Sequence, residues 1–129
     1  MLKKLFFRFR RLMRRQTSPD MFFAMLRRLP LRGWRIQEVP VWPYGGIRLC
    51  SPDSTDTHLY CPIEAVAREF TGYPWRRSFT VTAYVPGRAI GLSEDFIRKV
   101  SNVSDSPGPF FNEDERETHQ QILKVFSRA

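Results

Sequence analysis

Cys61 has the strongest claim to chemistry in this chain. It stands before Pro62-Ile-Glu-Ala-Val-Ala-Arg-Glu-Phe-Thr71, where Ile63, Val66, Ala67 and Phe70 recur at i, i+3, i+4 and i+7, the spacing of one helical face. Pro62 suits the first helical position, because its missing N–H would have no intrahelical acceptor there. Gly72 suits the stop, because it can take positive φ. Cys61 is therefore predicted at the N-cap, facing the positive end of the helix dipole, a placement that lowers a thiol's pKa and favours the thiolate. A cysteine nucleophile also needs a base and a group that orients the base. The chain holds two histidines, His58 three residues upstream and His119 far downstream. One reading is thus a cysteine-dependent enzyme using Cys61 with His58 or His119. The competing reading makes Cys61 a small buried side chain beside Tyr60, as free cysteines commonly are.

The placement of Cys61 is similar to that in papain-like hydrolases, whose nucleophile also sits at a helix N-terminus. Their histidine lies on a downstream strand, whereas His119 falls in a helical pattern, and no other signature of those enzymes is present. Cys50, His58 and Cys61 are also three zinc-ligating types. A structural zinc site wants four ligands with paired short spacings such as C-x2-C. The x7 and x2 intervals here lack that pairing, and Asp53, Asp56 or His119 would have to supply the fourth ligand. No metal site and no cofactor is expected. Glu113, Asp114, Glu115 and Glu117 form a carboxylate cluster, but acids at a helix start complement the dipole and need no further cause. Phosphate-cradling, dinucleotide and zinc-protease motifs are all missing.

The charge is distributed unevenly. Lys3, Lys4, Arg8, Arg10, Arg11, Arg14 and Arg15 are seven of the 21 basic residues, and none of the 13 acidic residues falls among the first fifteen positions. The arm carries +7 and the remaining chain +1. Within residues 1–15, Leu2, Leu5, Phe6, Phe9, Leu12 and Met13 share one helical face opposite the cations, which predicts a basic amphipathic helix. Such an arm can bind nucleic-acid phosphates, lie on a membrane surface, or dock on a protein through its apolar face. The bland alternatives are an arm that is merely basic, or translation starting at Met13 or Met21. Arginines interrupt every apolar run near the start, so no secretory leader is expected, and no stretch reaches the length of a membrane span. A cytoplasmic location with reduced cysteines follows as an expectation.

Domain boundaries are drawn at residues 1–16 for the arm and 17–129 for one domain. Thr17-Ser18-Pro19-Asp20 predicts a helix start, and Phe22, Met25, Leu26 and Leu29 carry its apolar face to about Arg28. Trp34 to Val39 and Ile47 to Cys50 read as two strands around a proline- and glycine-bearing turn, and Thr57 to Tyr60 as a third. Phe79 to Val85, rich in β-branched residues, predicts another strand ended by Pro86-Gly87. Ser93-Glu-Asp opens a helix with Leu92, Phe96, Val100 and Val103 on one side. Asn112-Glu-Asp-Glu115 is a capping-box pattern that opens the last helix, where His119, Ile122, Leu123 and Phe126 share a face. The expected architecture is α+β, about four helices packed on a short antiparallel sheet. Ala65 to Gly72 would suit the first helix of a helix-turn-helix, but Pro74 and β-branched residues follow where the second helix should begin. Arg76 and Arg77 are candidate phosphate contacts, with Tyr73 and Trp75 as stacking platforms.

Gly33-Trp34, Ile47-Arg48, Cys61-Pro-Ile-Glu-Ala-Val66, Ile90-Gly-Leu92 and Asp105 together resemble small uncharacterised proteins of bacteriophages and prophages. The resemblance covers roughly residues 22–126 and leaves out the arm. It implies an Ile-Arg strand, a Cys-Pro helix start, a Gly turn before a helix ending near an Asp, and helix rather than strand at Phe79 to Val85. No activity comes with it. The expected function is that of a non-enzymatic accessory protein acting on nucleic acid or a protein partner. The alternatives are the cysteine enzyme and a peripheral membrane-surface protein held by residues 1–15.

Overall fold

The computed structural model describes residues 16–39, 46–72, 84–105 and 111–127. The arm, the candidates Arg76 and Arg77, and residues 79–83 of the expected fourth strand lie outside the described residues.

Among the described residues there are five helices and one three-stranded sheet, in the order α1 (Pro19–Leu26), β1 (Arg35–Val39), β2 (Gly46–Cys50), β3 (Leu59–Tyr60), α2 (Pro62–Thr71), α3 (Tyr84–Ala89), α4 (Glu94–Asp105) and α5 (Glu113–Ser127). A 3-10 turn, Pro30–Arg32, separates α1 from β1. The sheet is antiparallel in the order β1-β2-β3, with Ile36 opposite Leu49 and Leu49 opposite Tyr60. The α+β class and the three strands agree with the sequence. The expected strand from Phe79 to Val85 is corrected at its described end, because Tyr84 and Val85 open α3. Packing overrides β-propensity there. A Cβ on Gly87 would lie 2.8 Å from the Ile97 side chain, so α3 passes α4 at a distance that only glycine permits.

Four helix starts are fixed by local side chains. The Ser18 hydroxyl accepts from Met21 N–H (3.1 Å) and the Ser93 hydroxyl from Phe96 N–H (3.2 Å). Asn112 and Glu115 bond each other's backbone N–H reciprocally, at 2.7 and 3.2 Å. Cys61 and Glu64 do the same for α2. Each cap satisfies N–H groups that the first helical turn leaves unpaired.

Helix α2 is the centre of the core, packed against α1, α3, α4, β2 and β3. Every residue from Pro62 to Ala67 is buried, so α2 is enclosed well beyond its one predicted face. Phe22, Leu26, Ile47, Leu49, Val100 and Ile122 complete the surrounding core. Gly46 and Arg48, on one side of β2, meet the C-terminus of α4. A Cβ on Gly46, at φ 144°, would fall 1.8 Å from the Ser104 carbonyl oxygen. Arg48 donates to that same carbonyl and pairs with Asp105 at 2.6 Å, satisfying acceptors at the negative end of the helix dipole.

Candidate functional site

At the start of α2 the Cys61 Sγ accepts from Glu64 N–H (3.4 Å), and Glu64 Oε1 accepts from Cys61 N–H (3.3 Å). The side chains are 6% and 2% exposed. Burial pushes the Cys61 thiol well above its ordinary pKa, and the negative charge of Glu64 adds to the shift. The expectation of a lowered pKa is therefore corrected. A helix N-terminus favours a thiolate only where the desolvation cost is smaller than the dipole's stabilisation, and here burial is the larger effect. The sulfur packs and caps.

Neither histidine is a hydrogen-bond partner of Cys61 among the described residues. His58 is exposed, donates its backbone N–H to Asp56 Oδ1 (3.0 Å), and sets its ring edge-on to Tyr60 at 6.4 Å. His119 lies on α5 with its ring tilted over Phe111, centroids 5.1 Å apart. Among the described residues no group of three His, Cys, Asp or Glu side chains is placed to hold a metal ion. Within the acidic cluster, Glu115 closes the cap of α5 and Asp114 pairs with Lys99 at 2.9 Å.

A tight polar network surrounds β3 and α2. The Tyr60 hydroxyl donates to Asp56 Oδ2 (2.7 Å), and the Arg68 guanidinium lies 4.7 Å over the Tyr60 ring. Burial and the Asp56 carboxylate push the Tyr60 phenol up to about 12. Burial works against ionised Asp56, yet the hydrogen bonds from Tyr60 and His58 and the charge of Arg68 hold its carboxyl below the usual range. Trp34 packs edge-on against Tyr60 at 5.8 Å and donates Nε1–H to Glu69 Oε2 (3.0 Å). Arg32 pairs with the other oxygen of Glu69 at 3.3 Å. Trp34 and Tyr60 are both 3% exposed, so the network holds the sheet to α2 and offers no open ring face.

A concave surface lies elsewhere among the described residues. A groove of about 820 Å³ runs between α1 and the C-terminal half of α5. Asp20, Phe23 and Arg27, at i, i+3 and i+7, form one wall, and Gln121, Lys124 and Val125 the other. Pro30 and Leu31 also line it, with Leu31 86% exposed. Arg27 and Lys124 carry no ion pair among the described residues, whereas Arg32, Arg48, Arg88, Arg98 and Lys99 each have a carboxylate within 3.5 Å. Sequence reasoning missed this groove. Its walls are separated by some hundred residues, and each wall alone reads as the solvated side of an amphipathic helix. The one local signal was the Leu-Pro-Leu run at residues 29–31, where Leu29 is buried and Leu31 is not.

No helix among the described residues is long and apolar enough to cross a membrane. No protein-family model, no curated protein and no solved structure matches the chain.

Proposed function

We propose that this is a small non-enzymatic accessory protein of the cytoplasm, of the kind bacteriophages encode, that acts by binding a partner and directs its basic N-terminal arm at nucleic acid or another polyanion. The observation that carries this reading is the charge asymmetry, +7 in the first fifteen residues against +1 in the rest. A neutral body joined to a concentrated cationic segment favours polyanions by counterion release. Arg8, Arg10, Arg11, Arg14 and Arg15, with Lys3 and Lys4, would neutralise phosphates, while Leu5, Phe6, Phe9 and Leu12 supply an apolar contact. The burial of Cys61 also supports a binding role, because the residue with the strongest claim to nucleophilic chemistry is a packed cap with a raised pKa.

The test is fluorescence anisotropy of labelled single- and double-stranded DNA and RNA across a salt series. It compares the full chain with a full-length variant whose seven arm cations are changed to Gln. The expected plot of log affinity against log salt has a slope approaching about −6 for seven phosphate contacts, and the variant loses both slope and affinity. Equal affinity in the two chains would remove the reading. The amphipathic pattern of residues 1–15 favours a second reading, attachment to an anionic membrane surface. In that case the full chain binds anionic vesicles with a component that high salt does not remove.

A further inference from the structure

The groove between α1 and α5 is a concave surface built by described residues, and its chemistry selects a partner. Phe23, Pro30, Leu31 and Val125 line it with apolar surface, and Arg27 and Lys124, which have no ion-pair partner among the described residues, set two cations on its opposite walls. A groove between two helices is the shape that accepts the apolar face of a third. We propose that it docks an acidic amphipathic helical segment of a protein partner. The apolar face of that segment would lie on Phe23, Leu31 and Val125, and its carboxylates would lie against Arg27 and Lys124. This deepens the partner-binding reading by naming the partner's chemistry, and it rests on that reading only for the claim that the protein acts by binding.

Charge separates this occupant from the others. Residues 1–15 carry an apolar face but also seven cations, which Arg27 and Lys124 would repel. Acidic side chains on the incoming segment would complement Arg27 and Lys124, and such complementarity raises the encounter rate. A bilayer is flat, whereas this surface is concave. Nucleic acid would meet only two cations, Arg27 and Lys124, separated by aliphatic and proline side chains, and no open aromatic face, since Phe23 is 9% exposed. Asp20, on the α1 wall, disfavours carboxylates near it and so sets the direction of the bound segment.

The probe is a fluorescein-labelled synthetic peptide of about 18 residues, five helical turns, with Leu at i, i+3, i+4 and i+7 and Glu elsewhere. Its control replaces every Glu by Lys. Anisotropy with the full chain is expected to show the Glu peptide binding at least about tenfold more tightly than the Lys peptide, the size of one good charge pair. The double variant Arg27→Glu, Lys124→Glu and the single variant Leu31→Asp should each weaken the Glu peptide by about tenfold or more. All three positions are exposed, so the variants should fold, and circular dichroism checks this. Equal binding of the two peptides overturns the proposal. So does unchanged affinity in the groove variants together with loss in the arm-neutralised variant, which would assign acid binding to the arm alone. Tighter peptide binding by a Phe6→Ser, Phe9→Ser variant would make residues 1–15 the occupant. A concentration-dependent dimer abolished by Leu31→Asp would make it a second copy, and vesicle binding abolished by Leu31→Asp would make it a membrane. Each of these three also overturns the proposal. The failure of the nucleic-acid reading is separate, because the groove variants leave the arm intact and the arm variant leaves the groove intact.

Discussion

The start of α2 and the groove between α1 and α5 invert each other. At α2 a thiol and a carboxylate, both polar, are shut inside the core and bonded to each other's backbone. At the groove Leu31, a large apolar side chain, is exposed in a lining that also holds two cations without an ion-pair partner among the described residues. Buried polar groups that satisfy one another specify the fold. Exposed apolar surface rimmed by unpaired charge marks a place where something else can bind. Cys61, the residue with the strongest claim to catalysis in the sequence, is therefore packed into the core, and the surface proposed for recognition comes from residues with no chemical signature.

The sharpest way to break this comparison is thiol reactivity, where the largest effect is expected. Cys50 is half-buried, with its thiol donating to Gln37 Oε1 at 3.5 Å, and it should alkylate in the native protein. Cys61 should react only when the core opens, slower by about a thousandfold or more in a domain of ordinary stability. Changing His58→Ala should leave the Cys61 rate unaltered, measured by mass spectrometry of the labelled peptides. If Cys61 alkylates as fast as Cys50 and the His58 variant slows it, the cysteine-enzyme reading returns. The raised thiol pKa has a second consequence. The unfolded thiol ionises near ~8.5 while the folded one stays protonated, so the unfolded state loses its proton first and stability declines as pH rises beyond that point. Denaturant titrations should show this decline, and Cys61→Ser should flatten it.

Next in size is the core beneath α2. Ile63 is fully buried, and its methyl carbon lies 3.4 Å from where a Cβ on Gly87 would stand. Ile63→Ala should cost about 2–5 kcal/mol by chemical denaturation, because neighbours on α3 and α4 are too tightly fitted to collapse into the space. A smaller cost would mean that α2 is less enclosed than its burial implies.

A smaller effect is expected in the network that holds the sheet to α2. Tyr60→Phe removes the hydroxyl that donates to Asp56 and should cost about 1–2 kcal/mol, a charge-assisted bond at a partly buried site. The Tyr60 phenol is raised to about 12. Its contribution is therefore complete below the ordinary tyrosine value and is lost as pH climbs towards 12. The variant should lack that upper alkaline decline while keeping the one from Cys61. Spectrophotometric titration at the tyrosinate band would separate the two. A Tyr60 that ionises at the ordinary tyrosine value would show that the Asp56 bond does not hold in solution.

Local chemistry was legible in the chain and global environment was not. The caps at Ser18, Cys61, Ser93 and Asn112 and the stop at Gly72 follow from contacts within a few residues, and the three strands from local residue types bounded by turn residues. The apolar faces of α2 and α4 were also read correctly. The pKa of Cys61 was misjudged because its sign depends on burial by five other elements, while its sequence neighbours show only the dipole. Glu64 lies off the predicted apolar face, yet it is 2% exposed because α2 is covered on that side as well. The start of α3 was misread for a related reason. Tyr84 and Val85 favour strand locally, and it is the fit of Gly87 against Ile97 that selects helix.

The smallest expected change tests the other half of the comparison. Leu31 is 86% exposed in the lining of the groove and contributes almost nothing to the core. Leu31→Ala should shift stability by no more than about 0.5 kcal/mol, as surface substitutions do, against the several kcal/mol of Ile63→Ala. The same change should weaken the acidic peptide measurably, because truncating an interface side chain removes contact area even where it leaves the fold untouched. Measuring both on one protein preparation separates two roles that exposure alone does not distinguish. A stability loss near that of Ile63→Ala would place Leu31 in the core and dissolve the contrast. Unchanged stability with unchanged peptide affinity would leave Leu31 as an ordinary exposed leucine, of which folded proteins carry many.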